Sequence, residues 1–519
     1  MITPPAPALE LRGITKRFGA VAANDGVSLA VAAGTIHALV GENGAGKSTA
    51  MRIAAGLLAP DHGEVLAAGV ARRFAGPREA SRRGIGMVHQ QFMLVDTMTV
   101  TENVVLGAEP GPAWAVDLAG ASARIAALAR ELGLAVDPAA RVAGLSVGQR
   151  QRVAVLRALY RRARVLILDE PTAVLAPPEV AGLFAVLRGM RQQGHTVVLI
   201  THHLAEVMAV AEEVTVMRAG RVVGNRRTAA TSAGELARLM VGGEAPPRTL
   251  KHLARAGPPR LVIRDLAVTA GADGGERRLD GVTLDVRAGE IVGIAGVEGN
   301  GQAELIAAVA GLADPGTVSG TVRFAGRDLA GASPRRRREL GLAHIPEDRE
   351  RRGLLLDFDL AENAILGAHR RPPLAVGPFH LWLDRQAIAA HAAALLQQFD
   401  VRPAFVQLPA RALSGGNQQR LMVARELAGS PRLLLAAQPT RGVDLAGSAR
   451  IHRALVAVRD AGCAVLLVSS DLDEVMALAD RLLVLHRGKV AGELDPAGAT
   501  PEEIGLLMTG GSRSPGGAA

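Results

Sequence analysis

A glycine-rich segment near the start of the chain has the residue types that bind a phosphate chain. Residues 41–49 read GENGAGKST, which fits the pattern G-x-x-x-x-G-K-[ST], and they follow the apolar run IHALV. Glycines let backbone amides point at phosphate oxygens, a lysine can reach the β- and γ-phosphates, and a hydroxyl can bind Mg²⁺. The segment predicts a nucleotide-binding loop with these candidate residues: Gly41, Glu42, Asn43, Gly44, Ala45, Gly46, Lys47, Ser48 and Thr49.

Two carboxylates at the end of another apolar run could complete a hydrolytic site. Asp169 ends the run VLILD, where a carboxylate can hold Mg²⁺ together with Ser48. Glu170 follows, and it could orient and deprotonate the attacking water. Two adjacent carboxylates are equally compatible with an ordinary strand end, so it is their combination with the phosphate loop that favours catalysis.

Three more side chains are candidates for the same site. Gln90 follows the run GMV after one residue and could contact Mg²⁺ or water while sensing a partner. His202 follows TVVLIT and could hydrogen-bond the γ-phosphate, although a lone histidine at a strand end is usually structural. Phe18, in KRFGAVAA, is a candidate to stack on adenine, with core packing as the alternative.

Two short segments are each predicted to open a helix with a serine and glycines. They read LSVGQRQ at 145–151 and LSGGNQQR at 413–420. Such a helix start can bind an anion, but taken alone the pattern is more often a simple N-cap. Each segment precedes a Pro-Thr motif by about twenty residues. This shared spacing favours a binding role.

The patterns recur because the chain contains one unit twice. Lys47 maps to Gln302 at an offset of 255 residues and Asp169 maps to Ala437 at an offset of 268, so the second copy has 13 more residues between them. Each copy alternates Val/Leu/Ile runs, typical of buried parallel strands, with alanine-rich helices. We predict an α/β fold with domains at 7–243 and 260–510, a linker at 244–259 and a disordered tail at 511–519.

The second copy lacks the polar residues that would do the chemistry. Its counterparts of Lys47, Ser48, Gln90, Asp169, Glu170 and His202 are, in order, Gln302, Ala303, Glu347, Ala437, Gln438 and Ser470. Its glycines Gly296, Gly299 and Gly301 remain. Loss of a general base alone costs roughly 10²- to 10⁴-fold in rate. We therefore predict a degenerate second site that hydrolyses negligibly and leave open whether it holds nucleotide.

Composition excludes several classes of protein. No apolar run approaches the 18 or so residues that cross a bilayer, and the start lacks the pattern of a secretory signal. The single cysteine, Cys463, excludes an internal disulfide and a cysteine-rich zinc site. A net charge of +9 suits a protein near nucleic acid or anionic lipid, or simply solvated arginines. No aromatic residues interleave with the arginine runs at 333–340 and 347–353, so we expect no binding to nucleic acid. The absence of long apolar runs, of a secretory signal and of further cysteines predicts a soluble intracellular protein.

Taken together, these motifs resemble those of the ATP-binding-cassette ATPases over nearly the whole chain. The tandem arrangement is similar to the ATP-binding subunits of bacterial importers for ribose, galactose and nucleosides, as are LSGGNQQ, PEDRERRGLLLDFDLAEN and PTRGVD. The sequence AAQPTRG resembles the purine-nucleoside type, because sugar importers usually keep DEPTRGVD there. The chain departs from the family pattern at Val147, at Ala176, and in having no second counterpart of Phe18.

The resemblance implies an architecture and a set of partners. It implies two tandem P-loop cassettes, each with a RecA-like parallel-sheet core, an antiparallel β subdomain and a helical signature subdomain. Cassettes of this family pair head to tail, so the competent site would add Ser414, Gly415, Gly416 and Asn417, and the degenerate site would add Ser146 and Gly148. ATP and Mg²⁺ are the implied cofactors. The implied partners are two integral-membrane permeases and, through them, a substrate-binding lipoprotein, at the cytoplasmic face of the bacterial inner membrane.

Two alternatives remain open at this stage. The first is the ATPase of a monosaccharide importer of the ribose or galactose type. The second is a soluble tandem-cassette translation factor on ribosomes, although such factors generally keep both sites intact and carry a long charged helix between cassettes. The sequence also leaves open whether the cassettes pair within one chain or between chains, and the direction of transport rests on the resemblance alone.

Overall fold

The computed structural model describes residues 6–511 except 20, 73, 91, 112–114, 174, 244–250, 253, 272–274 and 298. The chain divides into two compact units, Met1–Ala245 (unit 1) and Pro246–Ala519 (unit 2). This division falls inside the linker predicted at 244–259, of which 244–250 and 253 lie outside the described residues. Nearly all of the predicted tail, 512–519, also lies outside them.

Unit 1 contains two sheets and a set of helices. Its strands are β1 (Leu9–Phe18), β2 (Val21–Val31), β3 (Ile36–Val40), β4 (His62–Ala67), β5 (Val70–Arg72), β6 (Ile85–Val88), β7 (Val165–Asp169), β8 (Thr196–Thr201), β9 (Glu213–Arg218) and β10 (Arg221–Arg227). Its helices are α1 (Lys47–Ala54), α2 (Pro77–Arg82), α3 (Val100–Val105), α4 (Leu118–Glu131), α5 (Val147–Tyr160), α6 (Pro177–Gln192), α7 (Leu204–Val210) and α8 (Ala233–Val241).

The core sheet of unit 1 has the strand order β10-β9-β3-β8-β7-β6, and an antiparallel sheet has the order β2-β1-β4-β5. Strands β3, β6, β7, β8 and β9 are parallel, whereas β10 pairs antiparallel with β9. Every residue of β3 and β8 is buried, which explains their nearly unbroken apolar sequences. Helices α3, α4 and α5 pack together as a helical subdomain.

Unit 2 repeats this plan. Its strands are β11 (Pro259–Thr269), β12 (Arg277–Arg287), β13 (Ile291–Ala295), β14 (Val318–Phe324), β15 (Arg327–Asp328), β16 (Leu342–Ile345), β17 (Ala375–Val376), β18 (Trp382–Leu383), β19 (Leu433–Ala437), β20 (Ala464–Val468), β21 (Arg481–His486) and β22 (Lys489–Leu494). Its helices are α9 (Gln302–Ala310), α10 (Pro334–Glu339), α11 (Leu360–Ala364), α12 (Arg385–Gln398), α13 (Gly415–Ala428), α14 (Leu445–Asp460), α15 (Leu472–Leu478) and α16 (Pro501–Met508).

The core sheet of unit 2 has the order β16-β19-β20-β13-β21-β22, beside an antiparallel sheet with the order β12-β11-β14-β15. Helices α11, α12 and α13 form its helical subdomain, and the short β17–β18 pair precedes α12. The predicted α/β fold, with a parallel core, an antiparallel sheet and a helical subdomain in each copy, is confirmed. None of the described helices has the length and apolar character needed to span a membrane.

Candidate functional site

The predicted phosphate loop of unit 1 joins the buried strand β3 to helix α1. Gly46 is the N-cap of α1 and has φ of +94°. A Cβ atom on Gly46 would lie 2.2 Å from the carbonyl oxygen of Ala23, so only glycine fits this close approach to β2. The Asn24 side-chain amide donates to the Gly46 carbonyl at 3.1 Å and holds the loop against the same strand. The loop therefore has a fixed, curled backbone.

Lys47 fills the inside of this loop. Its side chain is 5% exposed, and its Nζ donates to the carbonyl oxygens of Gly41 at 2.7 Å and Glu42 at 2.9 Å. Burial lowers the pKa of Lys47, while the carboxylates Glu170 and Asp169 limit that shift. A buried ammonium held by the carbonyl oxygens of a glycine-rich loop fits an anionic phosphate chain.

Asp169 and Ser48 lie together at the end of β7. Ser48 Oγ donates to Asp169 Oδ1 at 3.0 Å. Burial raises the pKa of Asp169, and the hydrogen bond from Ser48 opposes this rise. A hydroxyl and a carboxylate oxygen at hydrogen-bond distance, beside a phosphate loop, are a donor set that Mg²⁺ accepts. The pair therefore fits the predicted metal role.

Glu170 contacts both of the other predicted catalytic side chains. Gln90 Nε2 donates to Glu170 Oε2 at 3.0 Å, and His202 Nδ1 lies 3.1 Å from Glu170 Oε1. Burial of Glu170 acts to raise its pKa, but the hydrogen bond with His202 and the charges of His202 and Lys47 hold that pKa below its ordinary value. Glu170 is therefore ionised at neutral pH and is positioned to accept a proton.

The remaining predicted residues of unit 1 lie in or near the loop. Phe18 ends β1 and is 52% exposed, with Lys16 Nζ 5.8 Å from its ring centroid, so it is not part of the hydrophobic core. This exposure is compatible with the predicted stacking role. Gly44 has φ of +80° in the loop, and Thr49 lies in the first turn of α1. Glu42, Asn43 and Ala45 complete the loop, where Ala45 is buried.

Unit 2 keeps the loop, but a neutral glutamine stands in place of the charged lysine. Gln302 begins α9 after Gly301, which has φ of +105°, and Gln302 Nε2 donates to the carbonyl oxygen of Val297 at 3.1 Å. A Cβ on Gly296 would lie 2.4 Å from that same Nε2. Gly299 also has a positive φ. The neutral amide therefore occupies the place of the lysine, and Ala303 follows it without a hydroxyl.

The carboxylate pair of unit 1 is also replaced by neutral groups in unit 2. Ala437 ends β19, and Gln438 Oε1 accepts hydrogen bonds from Ser470 N at 3.0 Å and Ser470 Oγ at 3.1 Å. Glu347 pairs with Arg441 Nη1 at 2.7 Å instead of contacting Gln438. The residues that follow β19 are therefore hydrogen-bonded to one another, but Gln438 has no carboxylate that could act as a base.

The backbone at this corner is the same in both units. Glu170 has φ of +47° and Gln438 has φ of +50°, although neither is glycine. The Glu170 amide donates to the Ile200 carbonyl at 2.9 Å, and the Gln438 amide donates to the Val468 carbonyl at 2.7 Å. A non-glycine residue in this left-handed conformation costs about 1 kcal/mol, so the packing of each unit imposes it.

The two signature segments differ in how their serines are used. Ser146 is the N-cap of α5 and forms a capping box with Gln149. Ser414 is the N-cap of α13 without a side-chain cap, and its Oγ instead accepts from Asn417 Nδ2 at 2.9 Å. Gly415 and Gly416 form the first turn of α13, and Gly148 lies buried in α5. Ser414 to Asn417 thus lie in a different unit from Lys47.

Sequence reasoning missed Asn24. Its side chain is fully buried and holds the Gly46 carbonyl. Residues 24–26 read NDG, a sequence typical of turns, so the pattern did not indicate that Asn24 holds the phosphate loop. The matching residue of unit 2 is Leu279, which is buried and whose side chain approaches Gly301 in the same way. The role of this position is therefore visible only when the structures of the two units are compared.

Comparison with known proteins identifies the family to which the chain is similar. A sequence model described as "ABC transporter" matches residues 24–173 and again 279–441. The chain is 44% identical over 504 residues to the "Nucleoside import ATP-binding protein NupA" of Lactococcus lactis, covering 97% of this chain and 98% of that protein. It is 43% identical over 512 residues to the "Guanosine import ATP-binding protein NupO" of Bacillus subtilis, covering 98% and 99%. It is 44% identical over 537 residues to the "Glucose import ATP-binding protein TsgD13" of Haloferax volcanii, covering 97% and 96%.

Two matches to one family model and relatives that align from end to end confirm the resemblance seen in the motifs. The chain therefore belongs to the ABC transporter family, whose ATP-binding proteins are ATPases coupled to transport.

Proposed function

We propose that this chain is the ATP-hydrolysing subunit of a membrane importer for nucleosides, with one competent ATP site. The observation that carries the single-site proposal is the difference between the two units. Unit 1 places a buried lysine, a hydroxyl, two carboxylates, a glutamine and a histidine around one loop, with Glu170 bonded to Gln90 and His202. Unit 2 has two glutamines, two alanines, a glutamate and a serine at the matching places.

In the proposed site, the residues of unit 1 bind the nucleotide, hold the metal ion and activate water. Lys47 and the loop amides bind the β- and γ-phosphates, and Phe18 stacks on the base. Ser48, Asp169 and Gln90 would hold Mg²⁺, which when bound offsets the charge on the phosphates. Glu170 takes the proton of the attacking water. Gln90 and His202 fix the direction of the Glu170 carboxylate, since each contacts one of its oxygens.

The signature of the other cassette completes the proposed site. Ser414, Gly415, Gly416 and Asn417 offer a hydroxyl, an amide side chain and helix-start amides to the γ-phosphate. Ser414 is suited to this because its hydroxyl does not cap its own helix. Binding of ATP would draw the two cassettes together, and hydrolysis would release them. One closure would therefore use one ATP.

The substrate assignment rests on the relatives and on one motif. NupA and NupO carry nucleoside and guanosine import in their names, and the segment LLLAAQPTRGVD of unit 2 resembles the purine-nucleoside type. The glucose import protein, at 44% identity, favours a monosaccharide as the alternative. In either case we propose two permeases and a substrate-binding lipoprotein as partners, with the chain at the cytoplasmic face of the membrane.

Uptake of labelled substrates tests this proposal. In a strain without this chain, uptake of radiolabelled guanosine should be lost and uptake of ribose and glucose should be kept. Wild-type protein should restore guanosine uptake, whereas the Glu170→Gln variant at equal abundance should not. Loss of sugar uptake alone would establish the monosaccharide alternative. If no uptake changes and the protein sediments with ribosomes, the transport proposal is wrong.

A further inference from the structure

A short hairpin of unit 2 carries exposed apolar side chains on a fixed base. The hairpin is formed by β17 and β18, which pair antiparallel just before α12. Leu374 and Ala375 are buried in the core of the unit, and the Asp384 amide donates to the Leu374 carbonyl at 3.0 Å. Packing and backbone hydrogen bonds therefore hold the base of the hairpin in place.

The tip of this hairpin, residues 376–383, is apolar and exposed. Its large apolar side chains are each more than 40% exposed, and they are Val376, Phe379, Leu381, Trp382 and Leu383. Phe379 reaches 91% exposure. The Trp382 ring lies over Gly377, where a Cβ atom would come within 2.2 Å of Trp382 Cε3. Only 2% of the residues of the chain are aromatic, so two aromatic residues on one exposed tip, among aliphatic ones, indicate a binding surface.

Arginines flank the tip on both sides in the sequence. Arg370 and Arg371 precede it, Arg385 follows it, and all three are exposed. Within the described part of the chain, the side chains of Arg370 and Arg385 have neither an ion pair nor a hydrogen bond. The one carboxylate of residues 366–385, that of Asp384, caps the N-terminus of α12. Cations are therefore in excess around the apolar tip.

A basic helix contacts the segment that leads into the hairpin. Arg371 Nη2 donates to the carbonyl oxygen of Arg338 at 3.4 Å, and Arg338 belongs to α10, whose sequence is PRRRRE. Arg335 and Arg336 of this helix are exposed and share the single carboxylate of Glu339. The pair therefore keeps one positive charge, and α10 adds it close to the base of the hairpin.

Unit 1 has a shorter segment without these cations. The stretch from Asn103 to Asp117 is seven residues shorter than the matching stretch of unit 2, from Asn363 to Asp384. The asparagines correspond because each side chain bonds the backbone eight residues before it, and the aspartates correspond because each caps the helix that follows. The stretch of unit 1 contains Glu109 and no arginine, lysine or histidine. The cationic extension is therefore specific to unit 2, and a helical subdomain can be built without it.

We propose that the tip, residues 376–383, inserts into the interface of a lipid bilayer that carries anionic headgroups. Its apolar side chains lie at the boundary between headgroups and acyl chains, where tryptophan is favoured, and the flanking arginines bind the phosphates of the headgroups. Leucine and valine gain from contact with acyl chains but cannot stack on bases, which favours lipid over nucleic acid. This inference goes beyond the proposed function, because binding to bare lipid needs neither permeases nor ATP.

Flotation of the full chain with protein-free vesicles tests this proposal. The chain should bind vesicles of phosphatidylglycerol and phosphatidylethanolamine, bind phosphatidylcholine vesicles more weakly, and lose affinity for the anionic vesicles as salt is added. Phe379→Ser should lower the partition coefficient by about tenfold, as expected when an aromatic side chain no longer enters lipid. Arg370→Gln should lower it by about fivefold, and on anionic vesicles only. Two matched controls should bind as the wild type does: Phe405→Ser, 67% exposed beyond the other end of α12, and Arg453→Gln, exposed on α14.

Tryptophan fluorescence measures the insertion without any change in the tip. The chain has two tryptophans, so Trp114→Phe leaves Trp382 as the reporter. Anionic vesicles should shift its emission to shorter wavelength, and brominated acyl chains should quench it. If Phe379→Ser does not fold, this measurement carries the same test.

The lipid assignment is wrong if the wild-type chain does not bind anionic vesicles, if Phe379→Ser binds them as tightly as the wild type, or if the emission of Trp382 does not change. It is also wrong if Phe379→Ser binds bare vesicles normally and fails only to co-purify with the membrane subunits, because the tip then binds a protein. Phe379→Ser should hydrolyse ATP at the wild-type rate, whereas Glu170→Gln should not. Failure of vesicle binding would therefore leave the proposed ATPase function intact.

Discussion

Exchanging Glu170 and Gln438, the residues that follow β7 and β19, gives the most direct test of a single competent site. Glu170→Gln keeps the size of the side chain, so its amide oxygen can still accept from Gln90 at the present 3.0 Å. It removes the negative charge that faces His202 and Lys47 and the oxygen that accepts the proton of water. Loss of a general base costs about 10²- to 10⁴-fold in rate, which is about 2.7 to 5.4 kcal/mol in activation free energy.

The reciprocal change, Gln438→Glu, adds a carboxylate to unit 2. It should not raise the rate, because Gln302, Ala303 and Ala437 still lack the ammonium, hydroxyl and carboxylate that bind phosphates and Mg²⁺ in unit 1. The assay is steady-state ATP hydrolysis by the chain with its membrane subunits, together with filter binding of labelled ATP. Glu170→Gln should bind ATP within about threefold of wild type, since the loop contacts remain. More than a tenth of wild-type kcat in Glu170→Gln, or a clear gain in Gln438→Glu, would refute the reasoning.

Three further outcomes follow from other contacts. Phe18→Ala should raise KM for ATP by about 2- to 10-fold with little change in kcat, because it removes a stacking surface remote from the γ-phosphate; a lower kcat at unchanged KM would contradict this. Ser414→Ala should lower kcat by about 10- to 100-fold and Ser146→Ala far less, and the opposite order, measured in the same hydrolysis assay, would reverse the proposed pairing. Burial lowers the pKa of His37 to about 4, below its unfolded value, so unit 1 should lose about 2 kcal/mol of stability between pH 7 and pH 5. His37→Val, which copies Val292 of unit 2, should remove that loss in urea titrations at the two pH values, and an unchanged pH dependence would show that other groups cause it.

The sequence was sufficient to predict features of the site that depend on residues close together in the chain. The loop around Lys47 and the position of Asp169 at a strand end follow from glycine spacing and from short apolar runs typical of buried strands. The replaced residues of the second copy could be assigned because the repeat supplies its own alignment. The α/β architecture and its two copies were therefore predictable before any coordinates.

The individual hydrogen bonds between distant segments were not predictable, although Gln90, Glu170 and His202 were expected in one site. Gln90 and Glu170 are 80 residues apart, and His202 is 32 residues further on, yet all three meet because β6, β7 and β8 are neighbours in the sheet. Apolar runs identify strands but do not give their order.

The shared left-handed corner at Glu170 and Gln438 has an engineering consequence. Because the main chain there has the same left-handed conformation in both cassettes, the inactivity proposed for the second one would come from its side chains rather than from its backbone at this residue. Substitutions at Gln302, Ala303, Ala437 and Gln438 would thus act on a chain that already has the left-handed backbone after β19. A chain converted in this way would show how the rate of transport changes when both cassettes hydrolyse ATP.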